Sequence, residues 1–265
     1  MGTLLHVAAR GGDGDVVARA IDDALEAVAR VERLMSFHDE TSELTRLNRE
    51  GHRTPQVVDP WTYAVLIRAQ RVARASDGLF DVTVAPILVD RGELPRHAER
   101  NGVGGCWRDV ELRPGYRVFF RRPLWMDLGG IAKGFAVDQA ILSLRRSGCL
   151  EASVNAGGDL RRYGETAEVI HLRSPAGLMP VAELGAGAVA TSAARVNYDD
   201  RLAQPIGCIV DPRRGAPWPG RGSVMVAART CVMADALTKV AALAGPSCEA
   251  LLARFGAAAR WFDAD

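Results

Sequence analysis

The chain has 265 residues, 33 basic and 32 acidic side chains and a formal net charge of +1. That length allows one large or two modest domains with a sizeable core, and interspersed charge without a basic, aromatic-studded stripe points away from nucleic acid as a partner. Cysteines 106, 149, 208, 231 and 248 are odd in number and widely spaced, which excludes a disulfide framework or a CxxC metal site and suits a reducing compartment.

A first strand is expected over Leu4 to Ala9, followed by the glycine-rich turn Gly11 to Gly14. Apolar residues at Val17, Ile21, Leu25, Val28 and Val31 predict a helix from about Val16 to Met35 with Asp15 as its cap. Asp59 and Pro60 read as cap and first residue of a second helix, through Leu66, Ile67 and Val72, closed by Asp77 and Gly78. Asp90 to Gly105 is polar and reads as a surface loop; short strands follow near Val110, Arg117 to Phe120 and Leu124 to Met126. Phe135 to Leu144 has helical apolar spacing, ending near Gly148. Strands are expected at Ala152 to Asn155, Glu168 to Arg173, Ala188 to Thr191, Gly207 to Val210 and Ser223 to Ala228, then helices over Val232 to Leu243 and Pro246 to Phe255. Without strict βαβ alternation this order predicts an α+β fold, one compact unit with the option of two subdomains. No apolar run reaches the roughly 18 residues of a membrane span, and no basic-then-apolar leader opens the chain, so the expectation is a cytoplasmic protein.

The segment Met126 to Asp138, MDLGGIAKGFAVD, is the most informative stretch. A carboxylate, two adjacent glycines and a lysine stand where a strand is expected to become a helix, and backbone N–H groups at such a turn suit an anionic ligand. Lysine is nearly absent beside abundant arginine, so Lys133 and Lys239 stand out.

Further clusters occur along the chain: MGT at the start, SFHDETSELTRLN (Ser36 to Asn48), SDGLFDVTVAP (Ser76 to Pro86), NAGGD (Asn155 to Asp159), Thr191 with Ser192, DPRRG (Asp211 to Gly215) and ADALT (Ala234 to Thr238). In this order and spacing, with DLGGIAKG, they resemble the ApbE family of FAD:protein FMN transferases over essentially the whole chain. The resemblance implies an α+β protein that binds FAD in an extended groove, cleaves its pyrophosphate with Mg²⁺, and transfers FMN to a Ser or Thr hydroxyl of an acceptor protein. It implies flavin contacts from Met1 and Phe37, and polar contacts from Asp81, Thr83, Asp127, Lys133, Asn155, Asp159, Thr191 and Ser192. Clearance for the ligand falls to Gly129, Gly130, Gly157 and Gly158.

The family's metal ligands map to the Ala132 carbonyl, Asp235 and position 239. Three departures accompany the resemblance. Position 239 is Lys where the family has Thr, leaving Thr238 or water to complete a metal shell, or the lysine charge to replace the metal. Cys208 stands where the family commonly has a histidine, and Ala193 follows Thr191-Ser192 in place of Gly. Asp235, Cys208 and Lys239 are therefore the expected catalytic positions. The alternative is a flavin-binding relative with weakened transfer chemistry, an FAD carrier or slow FAD pyrophosphatase.

Overall fold

The structure, a computed structural model, describes residues 3–97, 104–174, 177–193, 209–220 and 222–263. In chain order its elements are β1 (Leu5–Arg10), α1 (Gly14–Met35), α2 (Glu43–Glu50), β2 (Gln56–Val57), α3 (Pro60–Ala75), α4 (Ala85–Asp90), β3 (Val110–Arg113) and β4 (Arg117–Phe120). They continue with α5 (Ala132–Arg146), β5 (Glu151–Ala156), β6 (Asp159–Tyr163), β7 (Glu168–Ser174), β8 (Gly177–Leu184) and β9 (Gly187–Ala193). The last are β10 (Val210–Asp211), β11 (Ala216–Pro217), β12 (Ser223–Ala228), α6 (Cys231–Ala244), α7 (Glu249–Arg254) and β13 (Ala258–Phe262).

The main sheet has six antiparallel strands in the order β1-β5-β6-β9-β12-β13. A small sheet, β2-β4-β3, and two separate two-stranded pairs, β7-β8 and β10-β11, complete the strand structure. α6 packs on β9 and β12, α5 on β5 and α6, and α1 on α5. The fold is α+β, as its element order predicts. The larger core runs from α1 through α3, β4, α5, the sheet and α6, and a smaller cluster of Leu160, Ile170, Val189 and Met225 joins β6, β7, β9 and β12. The run Cys231–Arg254 is long and apolar enough to cross a membrane by length and composition, a span the sequence expectation had not included. In this fold it is broken by a 3₁₀ turn at Gly245–Cys248, and its α6 portion is a core helix carrying buried Asp235.

Several local expectations change. The cap of α1 is Asp13, whose carboxylate accepts the Asp15 N–H at 2.9 Å; Asp15 lies inside the first turn, where its charge favours the helix N-terminus. The buried stripe of α1 is Ala20, Ala24, Val28, Val31 and Met35, with Leu25 exposed, so small side chains face α5. Asp59 caps α3, with Pro60 in its first turn, and Asp77 and Gly78 end it in left-handed conformations with φ of 49° and 78°. Ile67 on that helix is exposed. Leu124 to Met126 is not a strand: the Asn48 side chain, from α2, takes the place of a β partner, donating to the Met126 carbonyl and accepting the Met126 N–H, both at 2.8 Å. α2, α4, β2, β6, β8, β11 and β13 add to the expected elements, and the expected Pro246 to Phe255 helix shortens to α7 after the 3₁₀ turn. The expected strand at Gly207 to Val210 falls partly outside the described residues; β10 begins at Val210.

Two contacts fix α5 against α6. A Cβ at Gly134 would lie 2.3 Å from the Cys231 carbonyl oxygen and 2.8 Å from the Asp235 Cβ, so only glycine allows this approach. One turn on, Asp138 acts as a remote cap for α6: its carboxylate accepts the N–H groups of Cys231 (2.9 Å) and Val232 (3.0 Å) and a bond from Arg161 (2.6 Å). The local cap residue, Thr230, makes no side-chain capping bond, so Asp138 supplies what the helix start lacks. Gly134→Ala is expected to lower stability by about 1–3 kcal/mol through overpacking, read as a lower midpoint in urea unfolding. Asp138→Ala leaves two buried N–H groups and Arg161 without their acceptor and is expected to cost about 3–5 kcal/mol, measured the same way.

Candidate functional site

The strap from Met126 to Ile131 enters the site with its backbone held at several points. Beyond the Asn48 clamp, the Asp127 N–H donates to the Val82 carbonyl (2.8 Å), and the Leu128 carbonyl accepts the N–H groups of Ile131 (3.0 Å) and Ala132 (2.8 Å). The Asp127 carboxylate accepts the Gly129 N–H at 3.1 Å. Gly129 and Gly130 are not in left-handed conformations, and only Gly129 is closely crowded. A Cβ on Gly130 would meet the Lys239 side chain at 3.4 Å and the Phe80 ring at 3.6 Å; one on Gly129 would lie 3.0 Å from the Asp127 carboxylate.

Beneath the strap, the chain's two lysines converge on one carboxylate. Asp235, on α6, is fully buried. Its Oδ2 accepts the Gly134 N–H at 3.0 Å, while Oδ1 is in direct contact with the Lys239 ammonium. That ammonium also donates to the Asp235 backbone carbonyl at 3.0 Å. Lys133 Nζ lies 3.8 Å from Asp235 Oδ1 and 2.8 Å from Asp159 Oδ2, tying the start of α5 to β6. Burial alone would raise the Asp235 carboxyl, but Lys133 and Lys239 outweigh it and hold the group below its ordinary value. Conversely, burial would lower Lys133, and Asp235 and Asp159 hold its ammonium above the usual lysine range. Asp159 is pushed up to about 6, by burial and then by the Asp235 charge, against the pull of the lysines. Burial also raises the Asp127 carboxyl, opposed by the Gly129 N–H and by His38, Lys133 and Lys239.

A cavity of about 310 Å³ opens above this cluster. Its lining combines apolar side chains (Leu79, Phe80, Val82, Val84, Leu88, Leu94, Ile209, Val210, Pro212 and Ala193) with glycines 129, 130 and 157 and polar groups of both signs: Asp81, Glu93, Asp127, Lys133, Thr191, Ser192 and Lys239. A molecule with a flat apolar part and an anionic part matches this mixed lining, and the volume lies at the lower end of small-molecule pockets. The apolar wall was not singled out residue by residue in the sequence, although Leu79, Phe80 and Val82 lie inside the GLFDVT cluster.

The other expected positions distribute as follows. Asp81 lines the cavity, but both its oxygens already accept bonds: Oδ1 from the Thr83 N–H and hydroxyl at 2.9 Å, Oδ2 from the Trp107 N–H at 2.9 Å. Burial raises the Asp81 carboxyl against these bonds. Thr83 also donates to the Gly105 carbonyl at 3.0 Å, so this pair fastens the Gly105–Trp107 segment to the wall. Phe37 is buried beside His97 (ring centroids 5.0 Å apart) and Trp125 (6.4 Å) and does not line the cavity. Asn155 accepts the Gly158 N–H at 2.9 Å and so braces the two-residue turn between β5 and β6. Gly157 and Gly158 have φ of 62° and 98° there, and a Cβ on Gly157 would strike the Thr3 hydroxyl at 2.1 Å. Thr191 and Ser192 lie adjacent on β9, and the Ser192 hydroxyl shares a 2.7 Å hydrogen bond with that of Thr238. Met1 and Cys208 lie outside the described residues.

The donors around Asp235 do not fit a divalent cation while Lys239 is present. Its carboxylate oxygens are occupied by the Gly134 N–H and the Lys239 ammonium. The Thr238 hydroxyl donates to the Asp235 carbonyl at 2.7 Å, and Ala132 opens α5 nearly buried. No group of three or more His, Cys, Asp or Glu side chains suited to a metal occurs among the described residues. A divalent ion about 5 Å from an ammonium meets a Coulomb repulsion of roughly 6–7 kcal/mol at an effective dielectric of about 20.

Comparison with known proteins agrees with the geometry. The sequence profile of the ApbE family matches residues 1–261. An FAD:protein FMN transferase of Vibrio cholerae is 29% identical over 85% of this chain and 72% of its own length. One of Treponema pallidum is 29% identical over 90% of this chain and 75% of its own. The solved apo structure of Pseudomonas stutzeri flavinyl transferase ApbE superposes with a TM-score of 0.80 at 25% identity, covering 98% of this chain and 87% of that one. With the motifs, the fold and the profile in agreement from end to end, this chain belongs to the ApbE family.

Proposed function

We propose that the protein transfers FMN from FAD to a Ser or Thr hydroxyl of an acceptor protein. The observation that carries this reading is the cavity whose lining joins apolar side chains to both lysines of the chain. An isoalloxazine ring suits the first and a pyrophosphate the second. The names of the relatives, FAD:protein FMN transferases, support the same assignment.

In the proposed reaction the acceptor's hydroxyl oxygen forms a bond to the FMN phosphorus as the pyrophosphate bond to AMP breaks. AMP leaves with that electron pair, and the hydroxyl proton passes to a base. Phosphoryl transfer of this kind depends mainly on positioning and charge stabilisation. We assign the base to Asp127, because it faces the cavity and burial raises its affinity for a proton, as a general base requires. The two ammoniums oppose the phosphate charge. The Mg²⁺ implied by the family resemblance has no place in this scheme, because its donor set is occupied.

Incubation with FAD and a Ser/Thr-bearing acceptor domain is expected to add the mass of an FMN phosphoester, seen by mass spectrometry. FAD that binds without this adduct, with or without slow release of AMP, would favour the carrier or pyrophosphatase reading, which the Lys239 contact on Asp235 also supports. Asp127→Asn is expected to slow transfer by about 100-fold while FAD affinity changes by no more than about threefold. Loss of affinity in step with rate would assign Asp127 to binding instead.

A further inference from the structure

We infer that Lys239, with Lys133, is a built-in countercharge for the FAD pyrophosphate, standing where a divalent cation would otherwise be held at Asp235. This rests on the FAD reading above. Of 33 basic side chains only two are lysines, and both meet the same buried carboxylate at the cavity floor. An ammonium is a compact point charge with three donors, whereas a guanidinium is a wide planar fork. Only the former matches the footprint of a small ion between a carboxylate and a phosphate.

The geometry gives Lys239 a defined station. Two of its three donor directions are taken by the Asp235 carboxylate and backbone carbonyl, while its side chain borders the cavity beside Gly130. Among the described residues no third acceptor bonds this ammonium, so a phosphate oxygen in the cavity can take that place. Lys133 is held in turn by Asp159 at 2.8 Å, so neither ammonium has to be ordered when the ligand arrives. Placing a divalent ion at Asp235 would require the Lys239 charge to leave a buried carboxylate and the Gly134 N–H to share its acceptor.

Mn²⁺ titration followed by electron paramagnetic resonance, paired with FAD binding in EDTA and in Mg²⁺, tests this on the wild-type chain and on Lys239→Thr and Lys239→Arg. The wild type is expected to hold no stoichiometric Mn²⁺ and to bind FAD with affinities in EDTA and Mg²⁺ that agree within about twofold. Lys239→Thr is expected to lose about ten- to a hundredfold in FAD affinity in EDTA, the scale of a charged hydrogen bond, and to recover it as one Mn²⁺ or Mg²⁺ binds. Lys239→Arg, keeping the charge but not the shape, is expected to bind FAD weakly in either condition. One tight Mn²⁺ in the wild type, or FAD affinity lost in EDTA, would overturn the inference and leave the FAD reading intact. FAD failing to bind in every condition would overturn both.

Discussion

The buried carboxylate of Asp235 is the constraint on which the site depends. It sits on a core helix with no exposure, and a charge so placed is tolerated only when fully partnered. Its partners come from three directions: the Gly134 N–H on α5, Lys239 one turn further along α6, and Lys133 at the first turn of α5. The packing of α5 on α6 and the electrostatics of the cavity floor are thereby one arrangement. A side chain at Gly134 would separate the helices and remove a donor from the carboxylate in the same step.

A second carboxylate on the same crossing, Asp138, does a different task. Facing the start of α6, it replaces the missing local cap and pairs with Arg161 from β6, so the helix carrying Asp235 and Lys239 is anchored at its beginning and tied to the sheet. Two aspartates of α5 and α6, both unexposed, thus divide between architecture and site. Burial cannot distinguish them; their partners can. Asp138 faces backbone donors and a paired arginine, whereas Asp235 faces two ammoniums that border open space.

The sequence made the chemistry more legible than the geometry. α1, α3, α5, β12 and the Asp59-Pro60 helix start followed from local pattern, because apolar spacing and caps act over a few residues. The strap at Leu124 to Met126 reads as a strand because its apolar run is strand-like, yet its pairing partner is the side chain of Asn48, 78 residues away. No local pattern encodes such a partner. β6 and β8 carry no alternating pattern to read: β6 is buried at four of its five positions, arginine included, and β8 is exposed along most of its length. Within the site, the motif residues of the strap, Lys133, Thr191, Ser192 and Lys239 line one cavity as a group, while Phe37 belongs to an aromatic cluster behind it. Asp81 and Thr83 are turned toward each other and toward the Gly105–Trp107 segment, a bond pattern that residue type alone leaves open.

Lys239 shows how burial changes what an acid–lysine pair does. On sequence alone, an acid and a lysine four apart on a helix form an ordinary surface pair of about 0.3–0.5 kcal/mol. Here the acid is buried, the lysine borders the cavity, and a second lysine approaches the same oxygen, so the pair becomes part of the ligand-facing floor. Around it the Thr238 hydroxyl bonds the Asp235 carbonyl and Ser192, and Gly134 donates to the carboxylate. On the inference drawn above, the positive charge at this floor belongs to the chain itself. A cation carried on the chain is present whatever the metal concentration and is positioned before the ligand enters, but it supplies one unit of charge and no open coordination position. On that inference, the lysine serves the holding of an anion directly, while the further polarisation a divalent ion would add falls to Lys133.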